Sequence, residues 1–219
     1  MSEVMNYPAT YKDRFGEEKT VIQNDGKTLR MFLRGVMFTG SMFDDFEPSI
    51  TEKAKLTSFS MNAGALCSYQ LDCQIPISVV MLDKPIEGIL QAHIEVGDPA
   101  PNGGVNLELV QLALTVADDS FTSSGTHGWF DDELLEIEAS LPEGIFLKCC
   151  HTCAFSDYHP VGSGTFGGLA CFRDHKQAYL ALKGKAALMH FFNNRTEYVQ
   201  ETYLCPEFEK RVPGTGYRG

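Results

Sequence analysis

A chain of 219 residues, 43% of them apolar, is long enough to bury a sizeable core as one domain or two. Its net charge of −11 is unevenly placed: residues 1–147 carry 9 Lys/Arg against 23 Asp/Glu, or −14, and residues 148–219 carry 9 against 6, or +3. Affinity for phosphates comes from clustered cations, so DNA and RNA are poor partners for the acidic two-thirds; the asymmetry fits either a mildly basic terminal segment docked on an acidic body or an acidic body that steers a cationic partner protein.

Residues 1–19 are polar and charged with no apolar h-region, so no signal peptide is expected. Residues 20–23 and 28–38 flank Asn24-Asp25-Gly26-Lys27, and an Asp-Gly pair between apolar runs predicts a hairpin. Leu29, Met31 and Leu33 alternate with Arg30 and Arg34, while Phe32 and Phe38 blur that pattern. Residues 40–49, with Asp44-Asp45 and Pro48, read as a loop. The cleanest period of two runs over 66–75, where Cys67, Tyr69, Leu71, Cys73 and Ile75 share one face. Cys67 and Cys73 are expected there as small core residues. The longest apolar run, 75–82, is broken by Pro76 and Ser78 and is too short to span a bilayer, so no membrane contact is expected.

Residues 90–96 alternate again and place His93 on the wet face. Residues 97–104 form a turn by composition. Over 105–117 the apolar phase changes between Leu109 and Val110, which predicts a bulge or a strand covered on both faces. A polar loop follows over 118–128, ending beside Trp129, expected as a buried loop-end residue. Leu135, Ile137, Ala139 and Leu141 alternate with Glu136, Glu138 and Ser140, which predicts a strand with an acidic outer face. Asp131-Asp132-Glu133, like Asp44-Asp45 and Asp118-Asp119, is expected as solvated loop charge without the spacing of a calcium loop. Helical spacing comes only at Tyr179, Leu182, Ala186 and Met189, weakened by Gly184; 198–205 reads as a strand. The fold expected is mainly β: an antiparallel β-sandwich or barrel over 1–147, then a C-terminal α+β segment, 148–219, packed with it as one unit.

That segment holds Cys149, Cys150, Cys153, Cys171 and Cys205 among the seven cysteines of the chain. A cytoplasmic setting is expected, where thiols stay reduced, which favours core residues, metal ligands or a reactive thiol over disulfides. Residues 144–150 alternate, so Cys149 belongs to the core and Cys150 pairs with Cys153 as Cys-x-x-Cys. Two thiolates around a tight turn reach one ion, and a structural zinc takes four ligands in a tetrahedron. Cys150, Cys153, Cys171 and Cys205 are the candidate ligands, with His151, His159 and His175 as alternative donors. The same cysteines could instead remain metal-free, or one could act as a nucleophile or redox thiol with His159 or His175 as base. The run Gly162-Ser163-Gly164-Thr165-Phe166-Gly167-Gly168 lacks the Gly-Lys-Ser/Thr ending of a phosphate loop and is expected to turn the backbone near the knuckle. Arg173 shares a face with Cys171, either to neutralise four thiolates or as an ordinary ion pair.

The pattern Cys-x-x-Cys-x-Phe-Ser-Asp-Tyr at 150–158, the glycines, Cys171-Phe172-Arg173, Glu201, Cys205 and the Tyr-Arg-Gly end resemble a bacterial family of unknown function. The resemblance spans 150–219 and implies a bacterial cytosolic setting and no activity. The function expected is that of a non-enzymatic binding or adaptor protein with a structural zinc, in the manner of an inhibitor or immunity protein that meets a cationic partner through an acidic surface. The alternative is a thiol- or zinc-dependent enzyme with its site in the glycine-rich cleft near Cys150 and Cys153.

Overall fold

The computed structural model describes residues 4–49, 53–101, 103–162 and 165–218. Asn102 of the expected turn, Ser163 and Gly164 of the glycine run and the terminal Gly219 lie outside them, as do residues 1–3 and 50–52. The strands are β1 (Met5–Asp13), β2 (Gly16–Asn24), β3 (Leu29–Leu33), β4 (Val36–Gly40) and β5 (Glu47–Pro48), followed by the one-turn helix α1 (Lys53–Leu56). A small two-stranded pair, β6 (Met61–Asn62) and β7 (Ala65–Leu66), leads into the long ribbon β8 (Tyr69–Met81) and β9 (Lys84–Val96). Next come β10 (Glu108–Val116), β11 (Asp119–Thr122), helix α2 (Phe130–Ser140) and β12 (Ile145–Leu147). The remainder has β13 (Ser156–Asp157), β14 (Leu169–Cys171), α3 (Lys176–Leu180), α4 (Gly184–Phe191) and β15 (Glu197–Val199).

Ten strands form one antiparallel sheet in the order β11-β10-β9-β8-β1-β2-β3-β4-β5, with β12 paired to β8 beyond the end of β1. The fold is mainly β, as the alternation predicts. Among the described residues the path does not close, so the barrel form of the expectation is replaced by an open sheet. The pairing also does not divide these strands into the two facing sheets of a sandwich. Inward residues come every second position: Tyr69, Leu71, Cys73, Ile75 and Ile77 of β8, Leu90 to Val96 of β9, and Val110 to Val116 of β10. They join Tyr7, Tyr11, Met31, Phe38 and Phe43 in one core with Phe130, Leu134 and Ile137 of α2. The opposite face is polar. One cross-strand row of Lys19, Thr10, Asp72, His93 and Gln111 lines a groove of about 600 Å3 there.

Several local expectations are revised for identifiable reasons. The run 28–38 splits at Arg34-Gly35, both with positive φ, so Phe32 faces solvent from β3 while Phe38 enters the core from β4. Leu82 and Asp83, both with positive φ, make the two-residue turn of the long ribbon without the usual Asn-Gly. Leu107 lies before β10 and is exposed, so the apparent phase change needs neither a bulge nor a doubly covered strand.

The strand expected over 135–141 is helix instead. Phe130, Leu134 and Ile137 repeat at helical spacing just as the odd residues repeat at two, and the helix-favouring Glu, Leu and Ala decide between them. Asp131, Asp132 and Glu133 are therefore its first turn, where negative charge is favoured, rather than a loop. Trp129 is 39% exposed instead of buried. The late helical stripe breaks at Gly184, φ +79°, into α3 and α4. Of 198–205 only the start is strand, in β15. No helix among the described residues is long and apolar enough to cross a membrane.

Candidate functional site

Cys150 and Cys153 bracket a 3-10 turn over Cys150–Thr152, closed by the Cys153 N–H donating to the Cys150 carbonyl at 3.2 Å. Cys171 ends β14 opposite Ser156 of β13, and the Ser156 hydroxyl donates to the carbonyls of both Cys150 (2.6 Å) and Cys153 (3.1 Å). Cys205 is brought in because the Cys150 N–H donates to the Tyr203 carbonyl at 2.8 Å. Three chain segments thus deliver four thiols, all buried, with Cys150, Cys171 and Cys205 in one cluster beside Tyr158, Leu169 and Val199. Cys153 lies next to them, packed with Ala154 and Phe155.

The electrostatics carry the same message. Burial pushes the Cys150 thiol up, and negative charge on Cys153, Cys171 and Cys205 pushes it further. Cys171 is raised by burial and by Cys153 and Cys205, while the Arg173 N–H and guanidinium oppose that rise. The Glu207 N–H donates to Cys205 Sγ at 3.4 Å. Four thiols so placed ionise together only against a cation, and backbone N–H groups aimed at two of the sulfurs suit a thiolate donor set. Among the described residues, however, no set of three or more His, Cys, Asp or Glu side chains is arranged to hold an ion. The four sulfurs are neighbours, not a formed coordination shell. Of the alternative donors, His159 packs edge-on against Phe192 at 4.6 Å and His175 against Phe191 at 6.2 Å, whereas His151 lies within the turn itself, buried, with neither ring nitrogen hydrogen-bonded and with Arg211 and Arg218 acting on it.

A buried polar core beside the thiols was not foreseen from the sequence. Glu201 is fully buried and accepts from the Gly167 N–H at 2.7 Å and the Tyr158 hydroxyl at 3.2 Å. Burial outweighs those donors and pushes its carboxyl up to about 7. Arg211 donates to the Cys153 carbonyl at 2.7 Å, to the Ser156 carbonyl and to the Tyr179 hydroxyl at 3.3 Å; that hydroxyl in turn donates to Asp157 at 2.8 Å. Arg218 donates to the His151 carbonyl and lies 5.1 Å over the Tyr158 ring. These residues lack any shared spacing. Only their density in an irregular stretch, 200–218, could have flagged them.

The described part of the glycine run serves this core and the body rather than the knuckle. Phe166 packs against Phe43 (4.8 Å) and Phe130 (5.0 Å), and Thr165 donates to Asp44. Asp45 binds the Ser41 and Met42 N–H groups. Of the α2 acids, Glu133 takes the Gly125 and His127 N–H groups at 2.8 and 3.0 Å, and Glu136 takes the Ser124 N–H at 2.6 Å. Much of the acidic punctuation is thus spent on backbone donors and is not solvated loop charge.

The profile of a family of unknown function (DUF6304) matches residues 5–156, more than half of the chain, and the chain belongs to that family. The match covers the sheet, α2 and the turn with Cys150 and Cys153, whereas the resemblance read from the sequence lay over 150–219; the match does not reach Cys171 or Cys205, and the cysteine pattern is not confirmed by it. Neither the curated proteins nor the solved structures include a match to this chain.

Proposed function

We propose that this member of a family of unknown function is a non-catalytic binding protein, cytoplasmic, whose C-terminal third is fastened by a structural zinc on Cys150, Cys153, Cys171 and Cys205. The observation that supports this reading is the burial of four thiols from three chain segments, Cys150, Cys171 and Cys205 in one apolar cluster, with backbone N–H groups directed at Cys171 and Cys205. Sulfur is the donor that zinc prefers, and a small irregular unit gains folding free energy directly from such an ion. Burial of every thiol supports a closed structural site over an enzyme near Cys150 and Cys153, which needs an open coordination position or an accessible thiol. The partner is a protein with a cationic surface, met through the acid excess of residues 1–147.

The test is elemental analysis of the purified protein beside Cys153→Ser. One zinc per chain is expected, lost in the variant, with the melting temperature lowered on the order of 10 °C. Equal metal content in the two proteins, or none in the wild type after loading with zinc, overturns the site.

A further inference from the structure

Residues 206–218 cross the Cys150–Thr152 turn as a strap without helix or strand, joined to it by a single bridge between Lys210 and Cys153. The Ala154 N–H donates to the Glu209 carbonyl at 2.7 Å, and the Arg211 N–H to the Thr152 carbonyl at 3.1 Å. Further on, the Gly216 N–H donates to the Leu180 carbonyl at 3.1 Å. Phe208 packs against Cys153, Ala154 and Phe155, so the strap supplies part of the cover over the Cys153 thiol. Its two arginines reach the acceptors beneath: Arg211 the carbonyls of Cys153 and Ser156, Arg218 that of His151. Val212 and Tyr217 stay exposed, as do Pro213 and Gly214. The strap is therefore held at a few polar points and buries little apolar surface.

That manner of closing strands polar atoms. Among the described residues, five buried side-chain nitrogens and oxygens have no hydrogen-bond partner, and four of them lie at this join: both ring nitrogens of His151, Arg211 Nε and Arg218 Nη1. None of the five belongs to the sheet. A buried polar atom without a partner disfavours the closed arrangement, and opening returns it to water. Segments with few apolar contacts open at a lower free energy than the whole fold.

We propose that residues 206–218 are a gate, which opens as a unit while the sheet stays folded and uncovers the Cys153 thiol with the carbonyls of Thr152, Cys153 and Ser156. The movement needs neither an ion among the cysteines nor a bound partner. Arg211 is its latch, because one side chain closes on two of those carbonyls and on the Tyr179 hydroxyl.

The experiment is native-state hydrogen exchange of the full chain, resolved by residue, in urea concentrations below the unfolding transition. The amides of Ala154, Arg211 and Gly216 are expected to be protected, but roughly 100-fold less than those of β8 and β9, and to exchange at rates that urea barely changes. The sheet amides are expected to speed up with urea. In Arg211→Gln the three strap amides are expected to exchange roughly 10-fold faster, as loss of hydrogen bonds from a charged donor requires, with the sheet amides unchanged. Strap amides that share the protection and urea dependence of β8 and β9 overturn the gate. Strap amides with no protection overturn it too, since no closed state would then exist. An Arg211→Gln protein in which strap and sheet speed up by the same factor shows a contact that holds the whole fold, and overturns the latch. If that variant fails to fold, the wild-type profile alone decides.

Discussion

The sheet and the C-terminal third solve the same problem by different means. In the sheet, hydrogen bonds run strand to strand and every second side chain enters one apolar core, so order and stability come from a repeating pattern. In residues 148–218 the regular elements are short, and the chain is held by side chains reaching backbone: Ser156 to Cys150 and Cys153, Arg211 to Cys153 and Ser156, Arg218 to His151. Its apolar clusters are three small ones where the body has one large one. A segment built that way depends on each contact individually, which is the circumstance in which a metal staple adds most.

The seam between the two regions gives the largest expected effect. Phe166 is the ring by which the C-terminal third enters the core of the body, and Phe166→Ala is expected to cost about 3–5 kcal/mol in urea unfolding. A loss below about 1 kcal/mol would show that the seam is not held there. The buried carboxyl of Glu201 comes next. The folded protein keeps this proton up to about pH 7, while the unfolded chain releases it near 4.5. The group therefore favours the folded state below about 4.5, and that preference is lost as pH rises through 7. Relative to Glu201→Gln, which cannot ionise, wild type is expected to lose about 3 kcal/mol between pH 4.5 and pH 8, from about 1.36 kcal/mol per pKa unit. Parallel pH profiles would remove Glu201 from the account. The smallest effect belongs to the regular region: Asn-Gly in place of Leu82-Asp83 relieves two positive φ angles and is expected to add about 0.5–1 kcal/mol, read from the same unfolding curves.

What the residues disclosed in advance follows the same division. Alternation found β8, β9 and most of β10 because a sheet wet on one face writes its burial into every second position. It failed at 135–141, where Leu135, Ile137 and Ala139 fit a period of two while Phe130, Leu134 and Ile137 fit the helix, and only packing decides. Strand β1 went unread because its inward residues, Tyr7, Ala9 and Tyr11, sit among polar neighbours at the chain start. The cysteines were easy to single out because the residue is scarce and chemically distinctive, but among the described residues they form no group of three or more arranged to hold an ion. Glu201, Arg211 and Arg218 were not easy to single out, since nothing in a charged residue announces that a fold will bury it against a carbonyl.

Burial of all seven cysteines has a practical consequence. A folded molecule offers no thiol to a bulky maleimide, so slow labelling would report how often, and at which cysteine, the protein opens. Cys67 and Cys73 would answer for the sheet, and Cys150, Cys153, Cys171 and Cys205 for the C-terminal third. A single Leu82→Cys at the ribbon tip, where the native side chain is 81% exposed, would supply a dye position that reacts at once and leaves those reporters silent.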